Sequence, residues 1–128
     1  MPISIMDKVR EAKEKVPAIS PADAMNLLGH GNAVFVDVRD ADEVRATGKV
    51  LGALNISRGM LEFRADPTLP GHLDDLSPEK TVVVYCASGG RSALAGAALQ
   101  ELGFADVRNL GGFQGWVDAG GAVERVQK

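Results

Sequence analysis

Residues 81–92 read Thr-Val-Val-Val-Tyr-Cys-Ala-Ser-Gly-Gly-Arg-Ser, and this stretch decides the fold class that we predict. Its first part, Thr81 to Tyr85, is a continuous apolar run rich in β-branched residues, which is typical of a strand buried on both faces. Its second part is a glycine-containing loop that leads into a helical pattern. The run therefore predicts the central strand of a parallel sheet, with Cys86 just beyond its carboxyl end.

Strands and helices alternate on both sides of this stretch. Ala33 to Val38 is a second apolar run without alternation, and shorter strands are predicted at 18–20, 53–56 and 106–110. The predicted helices are 5–15, 20–29, 40–46, 57–65, 92–102 and 113–119, with a loop at 66–78 and a turn at Gly111-Gly112. This order predicts an α/β fold, a central and mostly parallel sheet with helices on both faces.

The composition is that of one soluble globular domain, with 128 residues, 45% hydrophobic and 24% charged. Lysine and arginine are dispersed, and the net charge of −3 offers no basic surface for nucleic acid. No apolar run approaches the roughly 18–20 residues that cross a membrane, and the N-terminus is too mixed for a signal peptide. We therefore expect a cytoplasmic protein without nucleic-acid or membrane partners, divided into a helical arm (1–16), one domain (17–122) and a C-terminal tail (123–128).

Cys86 is the only cysteine of the chain. One cysteine excludes an intramolecular disulfide, a Cys-x-x-Cys redox pair and a zinc site built on several thiolates. His30 and His72 have no ligand-like neighbours in the sequence, so we expect surface or loop histidines. Neither a phosphate-binding loop motif nor a dinucleotide-binding motif is present. The sequence thus implies no metal and no cofactor.

The loop after Cys86 favours a reactive thiol. A cysteine reacts as its thiolate, and a free thiol with a pKa of about 8.5 is only a few per cent ionised at neutral pH. Gly89 and Gly90 allow backbone N–H groups to converge on an anion, the following helix adds its dipole, and Arg91 adds a permanent positive charge. The alternative is a buried structural cysteine before an ordinary glycine turn.

Five motifs occur in a fixed order around this loop. They are 36–40 (Val-Asp-Val-Arg-Asp) with Glu43, 48–56, 85–92, Leu99-x-x-Leu102-Gly103-Phe104, and 109–113 with Trp116. Together they resemble the single-domain rhodanese family of sulfurtransferases over roughly residues 18–120. Lys49, Leu51 and Ser57 depart from the family pattern, which usually has histidine at the first of these positions and proline at the other two. These positions belong to a structural corner rather than to the loop.

The resemblance implies a rhodanese-like fold and transfer of a sulfane sulfur through a Cys86 persulfide. The donor would be thiosulfate, another small sulfur-containing anion or a persulfide, and the acceptor cyanide or a thiol, including a protein thiol. Cys86 would be the nucleophile. The substrate-binding residues would be Ala87, Ser88, Gly89, Gly90, Arg91 and Ser92. Arg58 is added as a candidate for substrate binding because it lies on the predicted helix 57–65, near the expected mouth of the site.

The roles of several charged and polar residues stay open at the level of sequence. Arg91 either guides an anionic donor, which we favour, or forms a salt bridge within the domain. Ser92 is predicted as the N-cap of the next helix, with a hydrogen bond to the Cys86 sulfur as a secondary role. Asp37 and Arg39 are predicted to support the structure as an ion-pair set with Glu43. Arg58, like Arg64, either binds the donor or lies on a solvated helix face.

Loop length separates sulfur transfer from two other chemistries that the resemblance raises. Related phosphatases and arsenate reductases use a Cys-x5-Arg loop, whereas here the sixth residue after Cys86 is Ser92 and the arginine comes one residue earlier. The lone cysteine also leaves no resolving thiol for arsenate reduction. A non-catalytic docking module is a third alternative, although such modules commonly lack the cysteine or the arginine. Trp116 and Phe113 are interpreted as packing residues, and Gly96 as a point of close helix–sheet packing.

Overall fold

The computed structural model describes residues 2–31 and 33–126 and contains a four-stranded parallel sheet. Its strands are β1 (Ala33–Asp37), β3 (Leu54–Asn55), β4 (Thr81–Cys86) and β5 (Asp106–Gly112), in the spatial order β3-β1-β4-β5. β4 pairs with β1 on one side and with β5 on the other. The prediction of an α/β fold with this run as a central strand is confirmed.

Helices cover both faces of the sheet. They are α1 (Ile5–Lys15), α2 (Pro21–His30), α3 (Ala41–Thr47), α4 (Leu61–Ala65), α5 (Gly90–Glu101) and α6 (Phe113–Asp118), with a 3-10 turn at Arg58–Met60 before α4. Val82 and Val84 of β4 belong to one apolar cluster, and Val83 and Tyr85 belong to the other. Because both faces of β4 are buried from Val82 to Cys86, its sequence there is hydrophobic at successive positions rather than at alternate ones.

Local capping determines where α2 begins. The Ser20 hydroxyl accepts a hydrogen bond from the Asp23 N–H at 3.1 Å, and Pro21 occupies the first helical position. The helix ends one residue later than predicted, at His30, and Gly31 follows it in the left-handed conformation with φ +70°.

The predicted turn at Gly111-Gly112 is wrong, because β5 continues through both glycines. Tyr85 pairs with Gly111 and Cys86 with Gly112, after a register shift that leaves Leu110 without a partner on β4. A Cβ atom on Gly112 would lie 2.7 Å from the Ala87 carbonyl oxygen. The second glycine therefore lets β5 run directly alongside the cysteine loop.

Helix α1 and the strand at 123–124 both contact the rest of the fold. Val9 and Ala12 of α1 pack against Ala93 of α5, and a Cβ on Gly96 would lie 2.8 Å from Val16, which explains the glycine. Near the C-terminus, β6 (Val123–Glu124) pairs antiparallel with β2 (Lys49–Val50), within the segment that we assigned to a tail. Residues 127–128 of that segment, and Met1 of the arm, lie outside the described residues. The three-part division of the chain stays a prediction.

The segment 17–19 runs beside β5 rather than forming a full edge strand. Ala18 makes an isolated parallel bridge to Asn109. The Asn109 N–H donates to the Pro17 carbonyl at 2.8 Å, and the Ile19 N–H donates to the Asn109 carbonyl at 3.0 Å. This segment therefore holds the backbone of Asn109 at two points.

Within residues 2–31 and 33–126, no helix is long and apolar enough to cross a membrane.

Candidate active site

The Cys86 side chain lies at the carboxyl end of β4, and the residue is only 1% exposed. The Gly89 N–H donates a hydrogen bond to the sulfur at 3.0 Å, and the Ser92 Oγ lies 3.5 Å from it. Gly89 has φ +99°, a left-handed conformation that residues with a Cβ rarely adopt. This conformation turns the loop so that its N–H groups face the sulfur, as a nest for an anion.

The pKa of the Cys86 thiol is lowered by groups of the loop. Burial is the largest single effect and raises the pKa, but it is outweighed by hydrogen bonds to the thiolate. These come from the Ser92 hydroxyl and from the N–H groups of Ser92, Ser88 and Gly89. The site thus stabilises the nucleophilic form of its cysteine.

Ser92 is not the N-cap of α5, contrary to the prediction. The helix begins at Gly90 with Gly89 as its N-cap, so Ser92 lies inside the first turn and is fully buried. Its hydroxyl lies 3.2 Å from the Gly89 carbonyl oxygen and 2.7 Å from Oδ1 of Asn109. The contact with the sulfur, predicted as secondary, is part of this buried network.

Arg91 forms a salt bridge within the domain, the alternative to the favoured prediction that it guides an anionic donor. Its guanidinium donates two hydrogen bonds to the Glu43 carboxylate on α3, at 2.6 and 2.9 Å. This pairing holds the pKa of Glu43 down at about 2, through the hydrogen bonds from Arg91, and raises the pKa of Arg91. The pair ties the cysteine loop to α3, and each side chain keeps 37% of its surface exposed at the rim.

Replacing Glu43 with glutamine should therefore change stability in a pH-dependent way. At neutral pH we expect a loss of at most about 1 kcal/mol in the free energy of unfolding, because the pair is more than one-third exposed. The folded-state pKa of about 2 lies below the ordinary 4.5. The wild-type advantage is thus present above pH 4.5 and is lost as the pH falls towards 2. Urea unfolding of both proteins across this range tests it, and a gap that does not depend on pH would contradict it.

Asp37 and Arg39 form a buried ion pair beside the site. The guanidinium donates to the carboxylate at 2.6, 2.9 and 3.1 Å, and the two side chains are 3% and 0% exposed for Arg39 and Asp37 respectively. Arg39 also donates to the Gly48 carbonyl, and its guanidinium lies 4.5 Å from the ring centroid of Phe113. Glu43 pairs with Arg91 instead, so the predicted set of three is divided between two ion pairs.

Arg58 and Arg64 lie in clefts apart from the cysteine loop. Arg58 pairs with Glu62 at 2.7 Å and faces the cleft between α1 and α5. Arg64 approaches the Gly71 carbonyl at 3.4 Å and lines a second cleft, with Asp40 among its walls. Among the described residues, neither cleft is lined by a residue of the 86–92 loop. A role of Arg58 in substrate binding stays a prediction.

Asn109 belongs to the site, although the sequence did not single it out. Its side chain is largely buried, and its Oδ1 contacts both the Ser92 hydroxyl and the Gly111 N–H, the latter at 2.9 Å. The available signal was its position at the start of the 109–113 motif. The packing role of Trp116 and Phe113 is confirmed, since they are 0% and 6% exposed. Within the described ranges, no cluster of histidine, cysteine and acidic residues could hold a metal ion.

The fold and the site define an α/β protein with a cysteine loop at the carboxyl edge of a parallel sheet. Residues 20–119 match the model of the rhodanese-like domain. The chain belongs to this family of sulfurtransferases, as its motifs predicted, and its sheet and flanking helices have the rhodanese-like fold.

Several known proteins are similar over most of the chain. A protein of unknown function from Rhodopseudomonas palustris, described as a possible tyrosine phosphatase, is 38% identical with a TM-score of 0.87, and the match covers 97% of this chain and 96% of that one. The polysulfide-sulfur transferase homodimer from Wolinella succinogenes is 38% identical with a TM-score of 0.73, over 94% and 87%. The thiosulfate sulfurtransferase GlpE of Actinobacillus succinogenes is 32% identical, over 83% and 88%. Two other curated relatives are longer, and the chain spans 20% and 64% of their length.

Proposed function

We propose that this protein moves a sulfane sulfur from thiosulfate or a persulfide to cyanide or a thiol, through a persulfide on Cys86. The observation that carries the proposal is the sole thiol of the chain, held by the Gly89 N–H at 3.0 Å with its pKa lowered. Membership of a sulfurtransferase family supports the same chemistry. A cytoplasmic location stays a prediction of the sequence.

Two half-reactions balance the atoms and electrons. In the first, the Cys86 thiolate attacks the outer sulfur of thiosulfate. A new S–S bond forms, the S–S bond of thiosulfate breaks, and sulfite leaves with the electron pair. In the second, cyanide or a thiolate attacks the outer sulfur of the persulfide, which releases thiocyanate or a new persulfide and regenerates the Cys86 thiolate.

The loop suits the anionic intermediate of this cycle. A persulfide carries its negative charge on the outer sulfur, and we propose that the backbone of residues 87–92 binds this atom with converging N–H groups. Because Arg91 is paired with Glu43, the N–H groups supply most of the positive potential at the sulfur. A lone thiol has no internal resolving partner, so the sulfur must leave to an external acceptor.

Intact mass measurement after exposure to a panel of donors tests the proposal. With thiosulfate, inorganic polysulfide or a small-molecule persulfide, we expect the mass of one sulfur atom to be added at Cys86. Cyanide or a thiol should then remove it with one equivalent of product. Protein alkylated at Cys86 beforehand serves as the control. An unmodified Cys86 after every donor would contradict sulfur transfer.

The description of the Rhodopseudomonas palustris structure makes phosphatase activity a second candidate. The short loop argues against it, because the arginine comes one residue too early to encircle a tetrahedral oxyanion, and here it is bonded to Glu43. Hydrolysis of an aryl phosphate that disappears on Cys86 alkylation would support the phosphatase instead.

A further inference from the structure

The amide of Asn109 has a defined orientation beside the cysteine loop. Its Oδ1 lies 2.9 Å from the Gly111 N–H and 2.7 Å from the Ser92 Oγ. Because an N–H group can only donate, the contact with Gly111 requires an oxygen at this end of the amide rather than the NH2 group. Because an amide oxygen can only accept, the Ser92 hydroxyl must be the donor in the second contact.

The Ser92 hydroxyl has one proton and three neighbouring acceptors. The Gly89 carbonyl is 3.2 Å away and already accepts the Ala93 N–H at 3.1 Å, and the Cys86 sulfur is 3.5 Å away. The contact of 2.7 Å with Asn109 is the shortest and has the usual length of an O–H···O bond. The proton therefore points to Asn109, and the lone pairs of the oxygen face the sulfur. A neutral Cys86 thiol can donate a hydrogen bond to these lone pairs. A thiolate has no proton to donate, so it forms no hydrogen bond with them.

The backbone holds the Asn109 amide in place. Its backbone N–H donates a hydrogen bond to the Pro17 carbonyl at 2.8 Å, and its carbonyl accepts one from the Ile19 N–H at 3.0 Å. The register shift at Leu110 places the Gly111 N–H within hydrogen-bond distance of the Asn109 side chain. Asn109 is 8% exposed, so little water competes for Oδ1. The hydroxyl of Ser92 can rotate, but the acceptor that it meets at Asn109 is fixed.

We propose that Asn109 is a positioning residue that controls the proton of Cys86 through the Ser92 hydroxyl, an inference that rests on the sulfur-transfer function. When Cys86 is a thiolate, the hydroxyl must leave Asn109 in order to donate to the sulfur, so the two acceptors compete for one proton. In the persulfide, the inner sulfur has neither a proton nor a full negative charge, and the hydroxyl stays on Asn109. The hydrogen bond between Ser92 and Asn109 therefore stabilises the neutral thiol and the persulfide relative to the thiolate.

Charged groups on the surrounding elements also face this region, and the variants below leave all of them in place. They are Arg91 on α5, Glu43 and Asp40 at α3, Asp37 and Arg39 at the end of β1, and Lys13 on α1. Differences between variants therefore report the hydrogen-bond network rather than a change of these charges.

Titration of Cys86 in Asn109→Ala and Asn109→Asp, each with Ser92 intact and with Ser92→Ala, tests the inference. The readouts are the ultraviolet absorbance of the thiolate and the alkylation rate against pH. Cys86 is the only thiol, and the pKa of Tyr85, the only tyrosine, is raised by burial and by Asp37, so the thiolate signal is separate. With Ser92 intact, Asn109→Ala should lower the Cys86 pKa by about 0.5 to 1 unit and Asn109→Asp should raise it by a similar amount.

In the Ser92→Ala background, Asn109→Ala should no longer change the Cys86 pKa. Asn109→Asp should raise the Cys86 pKa only by the electrostatic effect of the added negative charge. Equal shifts in both backgrounds, no shift, or shifts of the same sign would overturn the inference. Asn109→Asp keeps an acceptor for the Gly111 N–H, so it tests the proposal even if the alanine variant fails to fold. The titration uses no sulfur donor. Its result is therefore independent of whether sulfur transfer occurs.

Discussion

A Cys86→Ser variant is expected to lose sulfur transfer by at least about a thousandfold, down to the rate of the uncatalysed reaction. Hydrogen bonds from the loop lower the pKa of the Cys86 thiol, but a serine hydroxyl starts from a pKa far above neutral and stays protonated. Serine also forms no persulfide. Steady-state transfer from thiosulfate to cyanide, together with the intact mass after donor treatment, measures both losses.

The matched variant for this experiment is Cys86→Ala, which lacks both the thiol of the wild type and the hydroxyl of Cys86→Ser. Both variants should keep the wild-type circular dichroism spectrum, because residue 86 is a small side chain at a strand end. If either variant transferred sulfur at a rate near that of wild type, the sulfur would be carried by another group, and the persulfide mechanism would be wrong.

An Asp37→Ala variant should lose about 3–5 kcal/mol of the free energy of unfolding, which is a large part of the 5–15 kcal/mol typical of a domain. The substitution leaves the Arg39 guanidinium, whose side chain is 3% exposed, without the carboxylate that it contacts at 2.6 Å. An unpaired buried charge has lost its hydration without a compensating partner. Urea unfolding at neutral pH measures the loss.

Asp7→Ala is the control for this prediction, because it removes one partner of an ion pair on the surface. Arg10 and Asp7 are 2.8 Å apart with side chains 69% and 46% exposed, so the loss should be far smaller than that of Asp37→Ala. A double variant, Asp37→Leu with Arg39→Met, should recover part of the stability by removing both charges. Equal losses in Asp37→Ala and Asp7→Ala would show that burial of the pair does not matter.

Much of the fold could be predicted because its signals are local. A strand buried on both faces has to be apolar at successive positions, so Thr81 to Tyr85 identified the centre of the sheet. The hydroxyl of Ser20 caps a helix within three residues of itself, and Pro21 fits only the first turn, so the start of α2 was also predictable. The position of Cys86 at the sheet edge followed from the order of strands and helices.

The same local rules failed at two positions of the cysteine site. Serine is a preferred N-cap, yet Gly89 takes that position in front of Ser92, because its positive φ turns an N–H towards the sulfur. Two glycines usually mark a turn, yet Gly111 and Gly112 extend β5. Gly111 adopts a positive φ of +91°, and the absence of a Cβ on Gly112 allows close contact with the Ala87 carbonyl of the loop. In both cases the sulfur site, rather than the local propensity, decides the conformation.

By itself, the sequence determined the α/β class, the family, and the position of Cys86 and its loop at the end of a central strand, since each depends on neighbouring residues or on a motif. Only the tertiary structure decided which side chains these residues contact. Glu43 and Arg91 are 48 positions apart, and Ser92 and Asn109 are 17 apart. Such partners are chosen by the packing of α3, α5 and β5 around one sheet edge, where buried polar groups must find hydrogen bonds. No local pattern specifies that choice.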